Sequence, residues 1–259
     1  METIKRGSRG ESVKTLQKAL SLYPDGIFGH VTEQAVIAYQ KAHGLIADGI
    51  VGAKTWAALG YGSQAVDPAV VYMPLNVHVT KANNRPIKYL AIHYTAGGSS
   101  AAGGAKGVKR VFEVRRASAD FAVDDCDMVQ FNPNPRDYFC WAVGDKKAAG
   151  VKCIDGMNRN TISIEICSTL RKGASAAYPN HDGWSISDKA VDNAVRLAKI
   201  LMAKYGIPIE NVVRHYDITG KLCPGVVGWN NGRIYTDGGV PTGKMNNSNK
   251  WEEFKRRLL

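Results

Sequence analysis

The chain opens on short stretches of helical periodicity. Val13, Leu16, Ala19 and Leu20 recur at the spacing of one helix face and predict a helix from about Glu11 to Leu22. Ala35, Val36, Tyr39 and Gln40 predict a second helix from about Thr32 to His43, and a third short helix holds Trp56 and Leu59. Asp25-Gly26-Ile27-Phe28-Gly29-His30-Val31-Thr32 recurs 23 residues later as Asp48-Gly49-Ile50-Val51-Gly52-Ala53-Lys54-Thr55. Each copy reads as a turn followed by a helix start, with Thr32 and Thr55 placed as N-caps. Residues 1–60 are therefore expected to form a compact three-helix module. Residues 61–84, rich in Gly, Ser, Asp and Pro, are expected to be a connection in which Val70-Val71-Tyr72-Met73 packs on either neighbour.

From Ile87 the period shortens. Ile87 to Tyr94 predicts a strand that ends near His93, followed by a Gly/Ser/Ala-rich rim loop from Ala96 to Gly107 and a helix from Lys109 to Arg116. Phe121–Asp124 and Met128–Phe131 flank Asp125-Cys126-Asp127 as a hairpin. Thr161-Ile162-Ser163-Ile164-Glu165-Ile166-Cys167 alternates strictly, with the isoleucines on one side and Glu165 on the other. Ser187 caps a long amphipathic helix that Gly206 and Pro208 stop. A strand over 211–214 then delivers His215, and a last helix from Trp251 to Leu258 packs back through Trp251 and Phe254. Interleaved strands and helices over 85–259 predict an α/β domain, a mixed central sheet flanked by helices.

The 259 residues carry 34 basic and 23 acidic side chains, a formal charge of +11, scattered along the chain. That charge suits a well-solvated surface or attraction to a polyanion. No helix-turn-helix, zinc-finger or RNA-binding signature accompanies it, so nucleic acid is not an expected partner. No run approaches the roughly 18 apolar residues of a membrane span. Met1 to Arg9 has positive charges but no apolar stretch behind them, so no secretory signal is expected and synthesis is expected in the cytoplasm. The five cysteines form no CxxC pair. Cys223, near His215 and Lys221, is the one placed to favour a thiolate. Cys126, Cys140, Cys153 and Cys167 are expected to be small core residues, with one disulfide among them left open.

The chemistry concentrates between Arg214 and Pro224, where an imidazole, an ammonium and a thiol fall in one loop. With His93 added, His215 and Cys223 complete two imidazoles and one thiolate. These are three of the four tetrahedral positions that zinc prefers, with the fourth open to water, as in catalytic sites.

Five segments in order, Ala91-Ile92-His93-Tyr94-Thr95, Ala117-Ser118-Ala119-Asp120-Phe121, Trp141-Ala142-Val143-Gly144-Asp145, Ile164-Glu165-Ile166 and the His215 to Pro224 loop, carry a family resemblance. The chain resembles the zinc-dependent N-acetylmuramoyl-L-alanine amidases of phages and prophages, which share a fold with peptidoglycan recognition proteins. Val13-Lys14-Thr15-Leu16-Gln17 and the doubled Asp-Gly motif resemble the peptidoglycan-binding module found beside many wall hydrolases. The resemblance implies a Zn²⁺ cofactor on His93, His215 and Cys223, with Glu165 as general base and Lys221 offsetting charge on the oxyanion. It implies cleavage of the amide between the lactyl group of N-acetylmuramic acid and L-alanine, by an endolysin that reaches the wall after release from the bacterial host. Peptidoglycan and anionic wall polymers are the implied partners. Tyr94 and Thr95 in the larger domain, and Asp25 and Asp48 beside the Asp-Gly loops, are the candidate substrate contacts. Relatives often carry Tyr or Trp at position 119 and His at positions 120 and 142. Ala119, Asp120 and Ala142 depart from that pattern, so catalysis falls on Glu165 and the contacts around Asp120 and Ala142 must differ. A non-catalytic wall-recognition protein and a host autolysin remain as alternatives.

Overall fold

The computed structural model describes residues 3–59, 67, 69–97, 103–144, 157–172, 174, 178–236 and 239–259, with the side chains of Ala53 and Ala57 excepted. Cys153, Asp145, the middle of the expected rim loop and residues 60–66 of the expected connection lie outside them. The chain divides into two compact units, Met1–Gln64 and Ala65–Leu259.

The first unit holds α1 (Glu11–Ala19), α2 (His30–Ala42) and α3 (Ala53–Ala58) around buried Ile4, Val13, Leu16, Phe28, Val36, Val51 and Trp56. Both helix starts differ from expectation. Gly29 precedes α2 as its N-cap, and Thr32 and Thr55 lie inside α2 and α3 as buried residues. Their hydroxyls serve the repeat instead. Gln17 Nε2 donates to Asp25 Oδ1 (2.7 Å), the Ile27 carbonyl (3.1 Å) and Thr32 Oγ1 (3.2 Å), while Gly26 N–H donates to Gln17 Oε1 (2.9 Å). Gln40 repeats every contact with Asp48, Ile50, Thr55 and Gly49 at 2.9–3.0 Å. A buried amide with all its polar atoms satisfied locks each turn onto its helix.

The second unit is built on a six-stranded sheet in the order β1-β5-β4-β7-β3-β10. Its strands are β1 (Val70–Tyr72), β3 (Tyr89–Tyr94), β4 (Phe121–Val123), β5 (Met128–Gln130), β7 (Thr161–Ile166) and β10 (Val212–Arg214). Only the β4–β5 hairpin pairs antiparallel, so the sheet is mixed, as expected. Within the expected connection, β1 is an edge strand and β2 (Val79–Lys81) pairs with β6 (Tyr138–Cys140). Two further pairs, β8 (Thr169–Leu170) with β9 (Trp184–Ser185) and β11 (Arg233–Tyr235) with β12 (Pro241–Met245), lie outside the main sheet. The helices are α4 (Gly104–Val114), α5 (Asp188–Tyr205), α6 (His215–Thr219) and α7 (Asn249–Arg256).

α4 begins five residues before the expected Lys109, so the rim loop is shorter than expected. Asp124 Oδ2 accepts from the Ala105 N–H at 2.8 Å and satisfies a donor in the first turn. Ser187 caps α5 as expected, accepting from the Ala190 N–H, and Gly206 closes it with φ 67°.

The pleat sorts the sheet's side chains. Leu90, Ile92, Phe121, Val123, Ile162, Ile164 and Ile166 face a core shared with α5, Trp251 and Phe254 of α7. Each such aliphatic side chain, fully buried, contributes about 2 kcal/mol. The opposite face of β7 is not a solvated surface, since Thr161 and Ser163 are buried as well. β7 lies between two parallel neighbours, where both faces are covered.

Asp120, expected among altered substrate contacts, is 1 % exposed and bound inside this face. Its Oδ2 accepts from Ser163 N–H (2.9 Å) and Oγ (2.8 Å), Asn132 donates to Oδ1, and buried Arg85 lies 3.6 Å from Oδ1. Of the four cysteines expected in the core, Cys140 and Cys167 are buried and free, whereas Cys126 is exposed on the β4–β5 turn. A turn residue has no core to enter.

Candidate metal centre and substrate groove

Strand register assembles the site. β3 and β7 run parallel with His93 opposite Glu165, both on the face away from α5. β10 pairs with β3 so that Arg214 lies opposite Ile92, and the chain then turns into α6 at His215. This position outside the carboxyl ends of parallel strands is where α/β sheets present ligand sites.

Arg214 holds the turn. Its guanidinium grips Asp217 through two bonds, Nε to Oδ2 (2.9 Å) and Nη2 to Oδ1 (2.6 Å), and donates to the Trp229 carbonyl at 3.1 Å. The loop after α6 folds back through Tyr216 N–H to the Cys223 carbonyl (2.9 Å), which brings the thiol close to the two imidazoles. Gly225 follows, where a Cβ would come within 2.7 Å of Tyr94 Cζ and 2.8 Å of Pro179 Cβ. Only glycine lets the ligand loop lie this close to Tyr94.

The ligand atoms of His93, His215 and Cys223 lie within 4.8 Å of one another, and all three residues are buried. Cys223 Sγ is 3.6 Å from His93 Nδ1. Two donors about 2.0–2.3 Å from a shared tetrahedral ion stand about 3.5 Å apart, so the spacing suits zinc. His215 Nδ1 is buried without a hydrogen-bond partner, as a group that awaits a ligand would be.

Burial sets the protonation states. It drives the His93 imidazole well below its usual pKa, helped by His215 and the Lys221 ammonium, and lowers His215 to about 4. Both rings are neutral donors at pH 7. The Cys223 thiol is pushed up to about 12 by burial, with Glu165 adding to the effect and Lys221 opposing it. The expected thiolate is thus not favoured by Lys221 alone, because desolvation outweighs it; a bound cation would reverse that balance.

Glu165 Oε1 stands 4.0 Å from His93 Nδ1, and Oε2 is buried without a partner. Burial raises this carboxyl to about 8 against the pull of Lys221. A carboxyl that exchanges its proton near neutrality is suited to general acid–base work.

Glu165, Lys221, Tyr94 and Thr95 line one groove of about 200 Å³, whose other wall is Val108, Val111, Phe112 and Arg115 of α4 and its C-cap. The sequence reading named the first four residues and missed the α4 wall. Apolar spacing at Ala105, Val108 and Phe112 was the available signal. Asp25 and Asp48 belong to the first unit, where Oδ1 of each is taken up by a Gln amide and the backbone N–H of Ile27 or Ile50. Asp48 also lines a cavity of about 230 Å³ with Gln40, Ile46, Ile50 and Lys54.

Fold and site define an α/β domain with a His/His/Cys cluster and the buried Glu165 carboxyl at the sheet's carboxyl edge. The family profile described as N-acetylmuramoyl-L-alanine amidase matches residues 83–226, more than half of the chain, and the chain belongs to that family. A second profile, putative peptidoglycan binding domain, matches residues 9–59. N-acetylmuramoyl-L-alanine amidase XlyA of Bacillus subtilis (strain 168) is 35% identical over 151 residues, covering 55% of this chain and 43% of that protein. The zinc D-Ala-D-Ala carboxypeptidase of Streptomyces albus G is 44% identical over 62 residues, covering 21% of this chain and 24% of that protein. The chain thus spans less than half the length of these curated relatives. Among solved structures, the catalytic domain of XlyA aligns with a TM-score of 0.49 at 24% identity, over 73% of this chain and 99% of that one.

Proposed function

We propose that the protein is a peptidoglycan hydrolase cutting the amide between the lactyl group of N-acetylmuramic acid and the L-alanine of the stem peptide, as an endolysin does. The observation that carries this reading is the convergence of His93, His215 and Cys223 beside Glu165, whose carboxyl lines an open groove. Those three residues would hold Zn²⁺, which supplies polarisation of the scissile carbonyl and a water made acidic enough to attack at neutral pH.

Glu165 takes the proton of the attacking water and hands it to the amine of L-alanine as the C–N bond breaks. The Lys221 ammonium, on the same groove, offsets negative charge on the carbonyl oxygen. Tyr94 and Thr95 position the substrate along the wall opposite α4.

Residues 1–60 act as the wall-binding module, joined through 61–84 to a catalytic domain over 85–259. The cavity beside Asp48 is the favoured contact surface. Asp25 and Asp48 serve chiefly to shape their loops. The enzyme acts on the wall after release from the cell that makes it. Among the described residues no helix is long and apolar enough to cross a membrane.

Mass spectrometry of digested peptidoglycan tests the assignment. Free stem peptides with an L-alanine amino terminus are expected; products cut within the glycan or the cross-bridge would refute it.

A further inference from the structure

We propose that Arg115 is a specificity residue that reads a carboxylate on the stem peptide, on the residue that follows the L-alanine whose amide is cut. This rests on the amidase reading above and deepens it to one feature of the substrate.

The groove is asymmetric. Glu165 and Lys221 line the side where the bond breaks, and the facing wall is apolar Val108, Val111 and Phe112, ending in Arg115. Val111 is 43% exposed, which leaves an aliphatic surface open to an occupant. Among the described residues that line the groove, Glu165 is the one carboxylate, against the two cations Lys221 and Arg115, so this lining favours a ligand with net negative charge. A neutral glycan strand needs neither an apolar wall nor a cation at its end; an acidic peptide uses both.

Arg115 is available for this role. Lys106 and Lys109 on the same helix are paired, with Asp127 at 2.8 Å and Glu113 at 3.8 Å. Among the described residues no acidic side chain pairs with Arg115, and it is exposed at the groove. Its backbone is fixed on both sides, its N–H donating to the Val111 carbonyl at 3.0 Å and its carbonyl accepting from Ala117 N–H at 2.8 Å. A cation at a helix C-terminus is electrostatically favoured, and the planar guanidinium matches a carboxylate through two parallel hydrogen bonds.

The test uses the full chain with zinc and two synthetic N-acetylmuramoyl tripeptides, identical except for a free carboxylate or a carboxamide on the residue after L-alanine. Wild-type protein is expected to prefer the carboxylate by about three- to fivefold in kcat/KM, expressed in KM, the upper end of the scale of a solvent-exposed charged pair. In R115Q that preference falls to about one, and R115K restores part of it. Wild-type protein that does not discriminate, or R115Q that keeps the full preference, would overturn the proposal. Cleavage of neither substrate by wild-type protein would overturn the amidase reading itself, and this proposal with it.

Discussion

His93 Nδ1 and Cys223 Sγ stand 3.6 Å apart although 130 residues of chain separate them. Nothing in the loop around Cys223 could hold that distance alone. It is held by the pairing of β10 with β3, which sets Arg214 beside Ile92, and by the loop that Arg214 and Asp217 anchor.

Cys223→Ala removes one of three expected metal ligands. Zinc content of the purified protein, measured by atomic emission, should fall well below one ion per chain, and the thermal midpoint should drop because ion binding contributes to folding. An unchanged stoichiometry would show that the ligand set is wrong.

Glu165→Gln preserves shape and removes the proton acceptor. Zinc content should stay at the wild-type value while kcat on soluble muropeptide falls by about 10²–10⁴-fold. Full activity in this variant would take Glu165 out of the mechanism.

Gly225→Ala places a methyl group against Tyr94 and Pro179. The loop that carries Cys223 must shift, at a cost of about 1–3 kcal/mol for overpacking. A lower melting temperature together with weaker zinc retention is expected, and Tyr94→Phe in the same chain should recover part of the loss. A variant as stable as wild type, with its zinc intact, would contradict the close packing described here.

In the first unit, Gln40→Ala strands the groups that its amide satisfies, at a cost of about 2 kcal/mol. Amide exchange at Gly49 and Ile50 should accelerate by about thirtyfold. The loops should also be acid-sensitive. Backbone N–H groups of Ile27 and Ile50 hold the Asp25 and Asp48 carboxyls below their usual pKa. Their stabilisation is therefore present above about pH 4 and lost as the pH falls through the lowered folded-state values. Protection at residues 25–27 and 48–50 that is independent of pH down to about 3 would rule this out.

Removal of residues 1–60 should weaken co-sedimentation with purified walls and spare cleavage of soluble muropeptides. Retained wall binding with lost cleavage would reverse the assignment of the two units.

Much of this protein was legible in the order of its residues. Alternation at Thr161–Ile166, the Ser187 cap and the doubled Asp-Gly turn are local signals, because pleat, capping and turn conformation depend on neighbours a few positions away. The candidate ligands were legible through the family resemblance of the segments around them, since a histidine and a cysteine in one loop are weak evidence alone. What the sequence could not decide depends on distant partners. Thr32 and Thr55 looked like caps until Gln17 and Gln40, 15 positions before each, claimed their hydroxyls. Asp120 stood among the expected altered substrate contacts until Ser163 and Arg85 drew it inside. Cys223 looked ready to ionise until burial, which only the packed chain creates, outweighed the charge of Lys221. Residue order settled which groups were present and which local shapes they favoured; tertiary packing decided which of them meet, because desolvation and cross-strand register are properties of neighbours in space.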